Sequence, residues 1–389
     1  MEQTTPTFDA AVFDQLSQTL TKSGTDAAIE RLCRTLREAK DYAKLFYAML
    51  MRKRVAMGVS PIPTAGANEL TPAQQTEYET TIREACREVG GQALAEGNIP
   101  FAFNFYRMIG EPEPVRDAIE RYNPGPDEDV QPVIEIAFQQ GVHPKKGFDL
   151  ILDRYGICNA ITTASGMGPG HGEEVRSHCI QRLVRSLHEQ LMERIKAEVE
   201  RVQGFASTAT TITELIAGRE WLFGDDVYFT DTSHLSSVVQ LSIELNSPAE
   251  LHLARELCAY GMRLAPQFQY QGSPPFENLY RDVDVYLSVL LDHEADSGIE
   301  HFRAKITADP EQPDTFAAEV LVRLLMRKGQ VKEALAVARE HLVLVDEREL
   351  NCPSPMELAQ RVKDFAAVAE MARKRDDPVH FLAGLIAQK

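Results

Sequence analysis

One helix–turn–helix spacing recurs in residues 86–114 (CREVGGQALAEGNIPFAFNFYRMIGEPEP), 238–266 (VVQLSIELNSPAELHLARELCAYGMRLAP) and 318–346 (AEVLVRLLMRKGQVKEALAVAREHLVLVD). Each stretch reads as an apolar helix, a short turn, and a second helix that carries a small residue near its start: Ala102, Ala254 or Ala334. Two helices approach closely only where a side chain is small, so the spacing predicts packed helix pairs. Stacked pairs of this kind form a solenoid-like array, and the predicted fold class is all-α.

Helix starts are marked by a repeated sequence device. Residues 71–74, 247–250 and 354–357 read Ser/Thr-Pro-x-Glu/Gln, and residues 211–214 repeat it without proline. The hydroxyl can accept the free N–H of the third helical residue, and proline suits the first position, where no N–H is needed. Apolar residues at helical spacing also predict one long helix from about Glu173 to about Gln203.

The three stretches resemble tetratricopeptide repeats. The residues that carry the resemblance are Gly90, Ala102, Tyr106 and Pro114 in the first stretch, Ala254, Gly261 and Pro266 in the second, and Gly329, Ala334 and Ala338 in the third. Cys86, Val238 and Ala318 replace the family's aromatic residue, and the copies do not follow one another at the ~34-residue period of the family. The resemblance therefore implies a diverged repeat protein, built from antiparallel helix pairs, that binds partners and carries no catalytic residue.

The predicted organisation has three regions. An N-terminal helical repeat region covers residues 1–122 and includes a loop at 58–70 with Pro61, Pro63 and Gly66. A diverged or inserted central helical block covers residues 123–232, because its spacing fits the repeats poorly. A C-terminal helical repeat region covers residues 233–389.

Composition narrows the classes of partner. The 389 residues include 41 Lys and Arg against 58 Asp and Glu, a formal net charge of −17. That charge repels nucleic acid and anionic lipid, so neither is expected as a partner, and a basic protein or peptide is favoured. No apolar run reaches the ~20 residues of a membrane span, and the N-terminus does not read as a secretion signal. Six scattered cysteines without a C-x-x-C pair favour free thiols in the cytoplasm.

An aromatic-rich stretch supplies the candidate partner-binding residues. They are Tyr260, Phe268, Tyr270, Phe276 and Tyr280, around an irregular segment with Gly272 and the pair Pro274-Pro275. Tyrosine offers an apolar face and a hydroxyl, which suits a binding groove. The alternative is that these rings fill the gap between neighbouring helix pairs.

Scattered histidines in the central block support an alternative function. His171, His178, Asp231 and His234 are ligand types that zinc and iron accept, and such a site would belong to a metal-dependent hydrolase or oxygenase. The competing interpretation makes Asp231 a helix cap and leaves His171 in a solvated loop. The favoured hypothesis is a non-enzymatic scaffold, which requires no cofactor.

Two further motifs in the central block are interpreted structurally. The glycine-rich residues 166–172 precede a helix but lack the lysine of a P-loop, and Glu173 and Glu174 would repel phosphate, so a flexible connector is favoured over a phosphate site. Cys158 is interpreted as a buried structural thiol, because a nucleophilic cysteine needs a base within hydrogen-bond reach.

Overall fold

Helices joined by turns make up the chain. The computed structural model describes residues 8–63, 70–306 and 315–389, is 71% helical and contains no strand within those ranges. The one extended pairing there is an isolated antiparallel bridge between Gln271 and Asn278. The prediction of an all-α chain is confirmed. Residues 64–69 of the predicted loop at 58–70, including Gly66, lie outside the described residues.

The chain divides into two units, Met1–Arg154 and Tyr155–Lys389. The division falls inside the predicted central block, and the three-region boundaries stay a prediction. The helices of the first unit are α1 (Ala10–Ser23), α2 (Thr25–Glu38), α3 (Tyr42–Ala56), α4 (Pro72–Ala95), α5 (Ile99–Ile109), α6 (Glu113–Glu120) and α7 (Gln131–Ile134), which continues as a π-helical turn over Glu135–Gln139. Helix α8 (Pro144–Ser165) crosses the boundary and is broken at Gly156, whose φ is 79°.

The first predicted helix pair is α4 and α5, and its local chemistry explains its geometry. Thr71 forms the predicted capping box: its hydroxyl accepts the Gln74 N–H at 3.3 Å, and the Gln74 side chain accepts the Thr71 N–H at 3.0 Å. At the crossing, a Cβ added to Gly90 would lie 2.7 Å from the Tyr106 ring. Because glycine lacks that atom, the ring of α5 lies directly against the α4 backbone. Ala102 is fully buried beside it.

The second unit contains the remaining helices. They are α9 (Glu173–Gln203), α10 (Ile212–Ile216), α11 (Thr232–Ser242), α12 (Pro248–Gly261), α13 (Leu279–Leu290), α14 (Ala295–Arg303), α15 (Thr315–Arg327), α16 (Val331–His341), α17 (Pro355–Arg361), α18 (Phe365–Lys374) and α19 (Pro378–Ala387). The long α9 has the predicted bounds and packs against α10, α11 and α12. Helices α11 and α12 form the second predicted pair, and α15 and α16 form the third.

Small residues and aromatic rings hold the second unit together. Ala254 and Ala334 are fully buried, as expected for helix pairs that approach closely. Phe276, Tyr286 and Phe302 pack against one another with ring centroids 5.6–6.1 Å apart. The packing of adjacent helix pairs is therefore confirmed. Within the described ranges, no helix combines the length and the apolar character that a bilayer crossing requires.

The predicted helix caps are mostly present. The hydroxyls of Thr211 and Ser354 each accept the N–H of the residue three positions later. Ser247 makes no such bond, and there the prediction is wrong. The Glu250 carboxylate interacts with the Ser247 side chain and also accepts from the Arg185 guanidinium of α9 at 2.7 Å.

Candidate functional site

The residues predicted as metal ligands lie in three structural settings. His171 ends a short 3-10 turn, Pro169–His171, and His178 lies in the first part of α9. Asp231 caps α11, because its Oδ1 accepts the N–H groups of Ser233 at 2.8 Å and His234 at 3.2 Å. The Ser233 hydroxyl donates to the same carboxylate and lowers the pKa of Asp231.

The hydrogen bonds of Asp231 are thus those of a helix cap, the competing interpretation given from the sequence. In the part of the chain that the structure describes, no three His, Cys, Asp or Glu side chains come close enough to share a metal ion. A zinc or iron enzyme with His171, His178, Asp231 and His234 stays a prediction that no described cluster supports.

The glycine-rich connector at 166–172 is tied to α9 at its start. The Arg176 guanidinium donates to the carbonyl oxygens of Ala164 at 3.2 Å and Met167 at 3.5 Å, and the Met167 side chain is buried. A Cβ at Gly168 or Gly170 would meet nothing within 4 Å. No close backbone approach therefore demands glycine at these two positions.

Cys158 is exposed, which corrects the expectation of a buried thiol. It follows the break in α8 at Gly156. Tyr155 and Asn159, on either side of the break, are also exposed, and Ala160 and Ile161 are buried. The break therefore turns the cysteine towards solvent. Four other cysteines are buried free thiols: Cys33, Cys86, Cys179 and Cys258.

The five aromatic candidates separate by burial. Tyr260, Phe276 and Tyr280 are buried and fill space between helices, which is the alternative that the sequence left open for them. The Tyr260 hydroxyl accepts the N–H of Phe229 at 2.8 Å, and burial raises the pKa of Tyr260 to about 12. Phe268 is half-buried and Tyr270 is 50% exposed. Partner binding by these residues stays a prediction, and only the last two are accessible.

The accessible pair belongs to a larger surface that the sequence did not reveal. The ring of Tyr228, 53% exposed, packs edge-on against Phe268 with a centroid distance of 5.0 Å. Trp221 is the only tryptophan and is 40% exposed in the same irregular segment as Tyr228. We call Trp221, Tyr228, Phe268 and Tyr270 the aromatic surface. Its first two members were missed because their segment has no helical periodicity.

Hydrogen bonds and ion pairs join the two segments that carry the aromatic surface. The Gln267 amide donates to the Asp225 carbonyl, and Arg263 pairs with Glu220 at 2.6 Å. The Arg263 guanidinium also lies 4.5 Å from the centroid of the Phe223 ring. Its positive charge is thus engaged by a carboxylate and by an aromatic face.

Three exposed carboxylates lie in the segment that carries Trp221 and Tyr228. The Glu220 side chain is 82% exposed despite its pairing with Arg263, and Asp225 and Asp226 are exposed between Trp221 and Tyr228. Exposed ring faces with adjacent carboxylates can hold lysine or arginine side chains, because rings attract cations as well as apolar stems.

A cavity lies between α9, α13, α15 and the turn after α11. It is a cavity of about 440 Å³, and its lining includes Arg176, Asn246, Tyr286, Arg323, Arg327 and Asn351. Arg176 forms a two-bond pair with Glu244, at 2.5 and 2.7 Å. Arg327 donates to the carbonyls of Ile243 and Leu245 and to the Asn246 side chain. These bonds join the elements around the cavity.

No family model matches the chain, and no curated protein or solved structure matches it either. Its function therefore has to be inferred from its own fold and surfaces.

Proposed function

We propose that this chain is a non-enzymatic helical-repeat scaffold of the diverged tetratricopeptide type, with its helix pairs stacked as a solenoid, that acts in the cytoplasm. Its aromatic surface binds a basic segment of a partner protein. The observation that carries the proposal is the exposure of Trp221, Tyr228 and Tyr270 in two segments of the second unit that meet at the Tyr228–Phe268 ring contact. Exposed aromatic residues of this kind are the commonest energetic anchors of protein interfaces.

The surface is held in place before any partner arrives. The N–H of Phe229 is bound to the Tyr260 hydroxyl, and its carbonyl accepts from Arg194 of α9 at 3.0 Å. The neighbouring Tyr228 ring rests against Phe268. A binding surface that is already ordered loses less conformational entropy on association, so more of the contact energy contributes to affinity.

Charge favours a basic occupant. Glu220, Asp225 and Asp226 are exposed in the segment that carries Trp221 and Tyr228, and the whole chain carries a formal charge of −17. Complementary charge speeds encounter and excludes acidic competitors, most strongly at low salt.

Selection from a random peptide library on the intact protein tests the proposal. We expect the selected peptides to be rich in lysine or arginine next to apolar residues. Their affinity should fall at least about tenfold for the double variant Tyr228→Ala, Tyr270→Ala, because truncation of an interface anchor removes about 2 kcal/mol or more. The control is Tyr47→Ala, which removes a tyrosine that is 69% exposed in the first unit.

The proposal fails if the selected peptides are acidic, or if they bind the double variant as tightly as the wild type. It also fails if Tyr47→Ala weakens binding as much as the double variant does.

A further inference from the structure

The cavity between α9, α13 and α15 is lined by Arg323, whose guanidinium has one N–H without an acceptor among the described residues. Arg323 lies in the middle of α15 and is half-buried, and its Nε is fully buried without a hydrogen-bond partner in the described part of the chain. A buried N–H without an acceptor is destabilising, and a charged one more so. Arg323 also lines the cavity and is only half-buried, so its guanidinium is available to a ligand there.

Three other charged residues of the lining, Arg176, Glu244 and Arg327, are engaged. Arg176 and Glu244 neutralise each other through their two-bond pair. The buried Glu319, one turn before Arg323 on α15, accepts the backbone N–H of Asn351 at 2.9 Å and its side-chain amide at 3.2 Å. Among the described lining residues, Arg323 is therefore the cation whose hydrogen-bonding capacity is left over.

We propose that this cavity binds a small molecule bearing a carboxylate or phosphate group, with Arg323 as the cationic partner of that group. The planar guanidinium matches two oxygens of either anion. A volume of about 440 Å³ suits a small ligand, and Ile180, Ile243 and Tyr286 supply an apolar wall for the rest of it. The site is separate from the aromatic surface, so the inference does not depend on the proposed function.

One lining group opposes the anion. Glu173, exposed in the first turn of α9, contributes a negative charge at the edge of the cavity. Its charge repels a bound oxyanion, so removing it should change the affinity in the opposite direction from removing Arg323. Glu173→Gln should tighten binding, whereas Arg323→Gln should weaken it.

Calorimetric titration of the full chain tests the inference, with inorganic phosphate and with succinate as probes at constant ionic strength. We expect saturable binding of at least one probe, about tenfold or more weaker binding by Arg323→Gln, and wild-type binding by the control Arg348→Gln, whose side chain is 88% exposed. Binding of phosphate alone would assign a phosphate-bearing ligand, and binding of succinate alone a carboxylate.

The melting temperature without ligand separates a binding role from a structural one. If Arg323 serves a ligand, Arg323→Gln should leave the melting temperature of the free protein unchanged or raise it, because an unsatisfied charge is removed. A lower melting temperature would show that Arg323 holds the fold and would overturn the inference. The inference would also be overturned if neither phosphate nor succinate bound, or if the wild type and Arg323→Gln bound equally well.

Discussion

At the scale of single residues, a tyrosine ring lies against a glycine at two helix crossings. Tyr106 covers Gly90 between α4 and α5, and Tyr280 covers Gly261 between α12 and α13. In each crossing the missing Cβ makes room for the ring, so the large side chain gains contact area without separating the helices. The pairing therefore sets the distance between two helices.

Replacing Gly261 by alanine tests this contact. The new Cβ would lie 2.4–2.6 Å from atoms of the buried Tyr280 ring. Overpacking of this kind costs about 1–3 kcal/mol, although alanine is the better helix former by about 1 kcal/mol. We therefore expect Gly261→Ala to lower the free energy of unfolding in urea. Gly168→Ala, whose Cβ meets nothing within 4 Å, should leave it nearly unchanged.

The Asp231 cap makes stability depend on pH. The hydrogen bond from Ser233 holds the folded pKa of Asp231 below the ordinary value for an aspartate, so its stabilising effect is present above the unfolded pKa and is lost as the pH falls through the folded pKa. Asp231→Ala should lower the free energy of unfolding by about 1 kcal/mol at neutral pH. The difference in free energy of unfolding between the wild type and Asp231→Ala should narrow as the pH falls below about 4. Urea unfolding of both proteins at several pH values measures this difference. A difference that stays constant across the pH range would contradict a stabilising role for the ionised Asp231 carboxylate.

At the scale of helices, local patterns were sufficient to predict the elements. Caps such as Thr71 and the apolar periodicity of 173–203 depend on residues within one or two turns of each other. That is why the bounds of α9 and the three helix pairs could be predicted. The Ser247 cap was predicted and is absent, and the pairing of Glu250 with Arg185, 65 residues earlier in the chain, is a contact that local patterns do not reveal.

The third pair offers the sharpest test of helix packing. Ala334 is fully buried in α16, which packs against α15. Ala334→Leu should lower the free energy of unfolding by about 1–3 kcal/mol, because the added atoms force the two helices apart. Ala366→Leu in α18 is the control, since that alanine is exposed. Equal melting temperatures for the two variants would show that Ala334 is not at a close contact.

At the scale of the whole molecule, the candidate sites depend on contacts between distant segments. The aromatic surface joins irregular residues around Tyr228 to those around Phe268, and the cavity joins α9 to α15 across more than a hundred residues. Periodicity describes neighbours along the chain and carries no information about such contacts. Phe268 and Tyr270 could be proposed from composition, whereas Trp221, Tyr228 and Arg323 required the three-dimensional arrangement.

Stability should also vary along the second unit. Helix α19 buries a single residue, Gly384, whereas α11 and α12 are buried along much of their length. Segments with few buried contacts open at lower free energy. Native-state hydrogen exchange should therefore begin in α19, within residues 356–389, and proceed late in residues 238–264. Earlier exchange of α11 and α12 than of α19 would contradict the assigned packing.

The most direct test of the central claim uses Trp221, whose position in the aromatic surface makes its fluorescence a local reporter. The full chain is titrated with a short lysine- and leucine-rich peptide, and separately with the same peptide carrying glutamate in place of lysine. We expect a saturable change in emission with the lysine peptide that weakens as salt is added, and no change with the glutamate peptide. The double variant Tyr228→Ala, Tyr270→Ala should lose the response. An unchanged emission spectrum with the lysine peptide, or an equal response from the double variant, would contradict a protein-binding role for this surface.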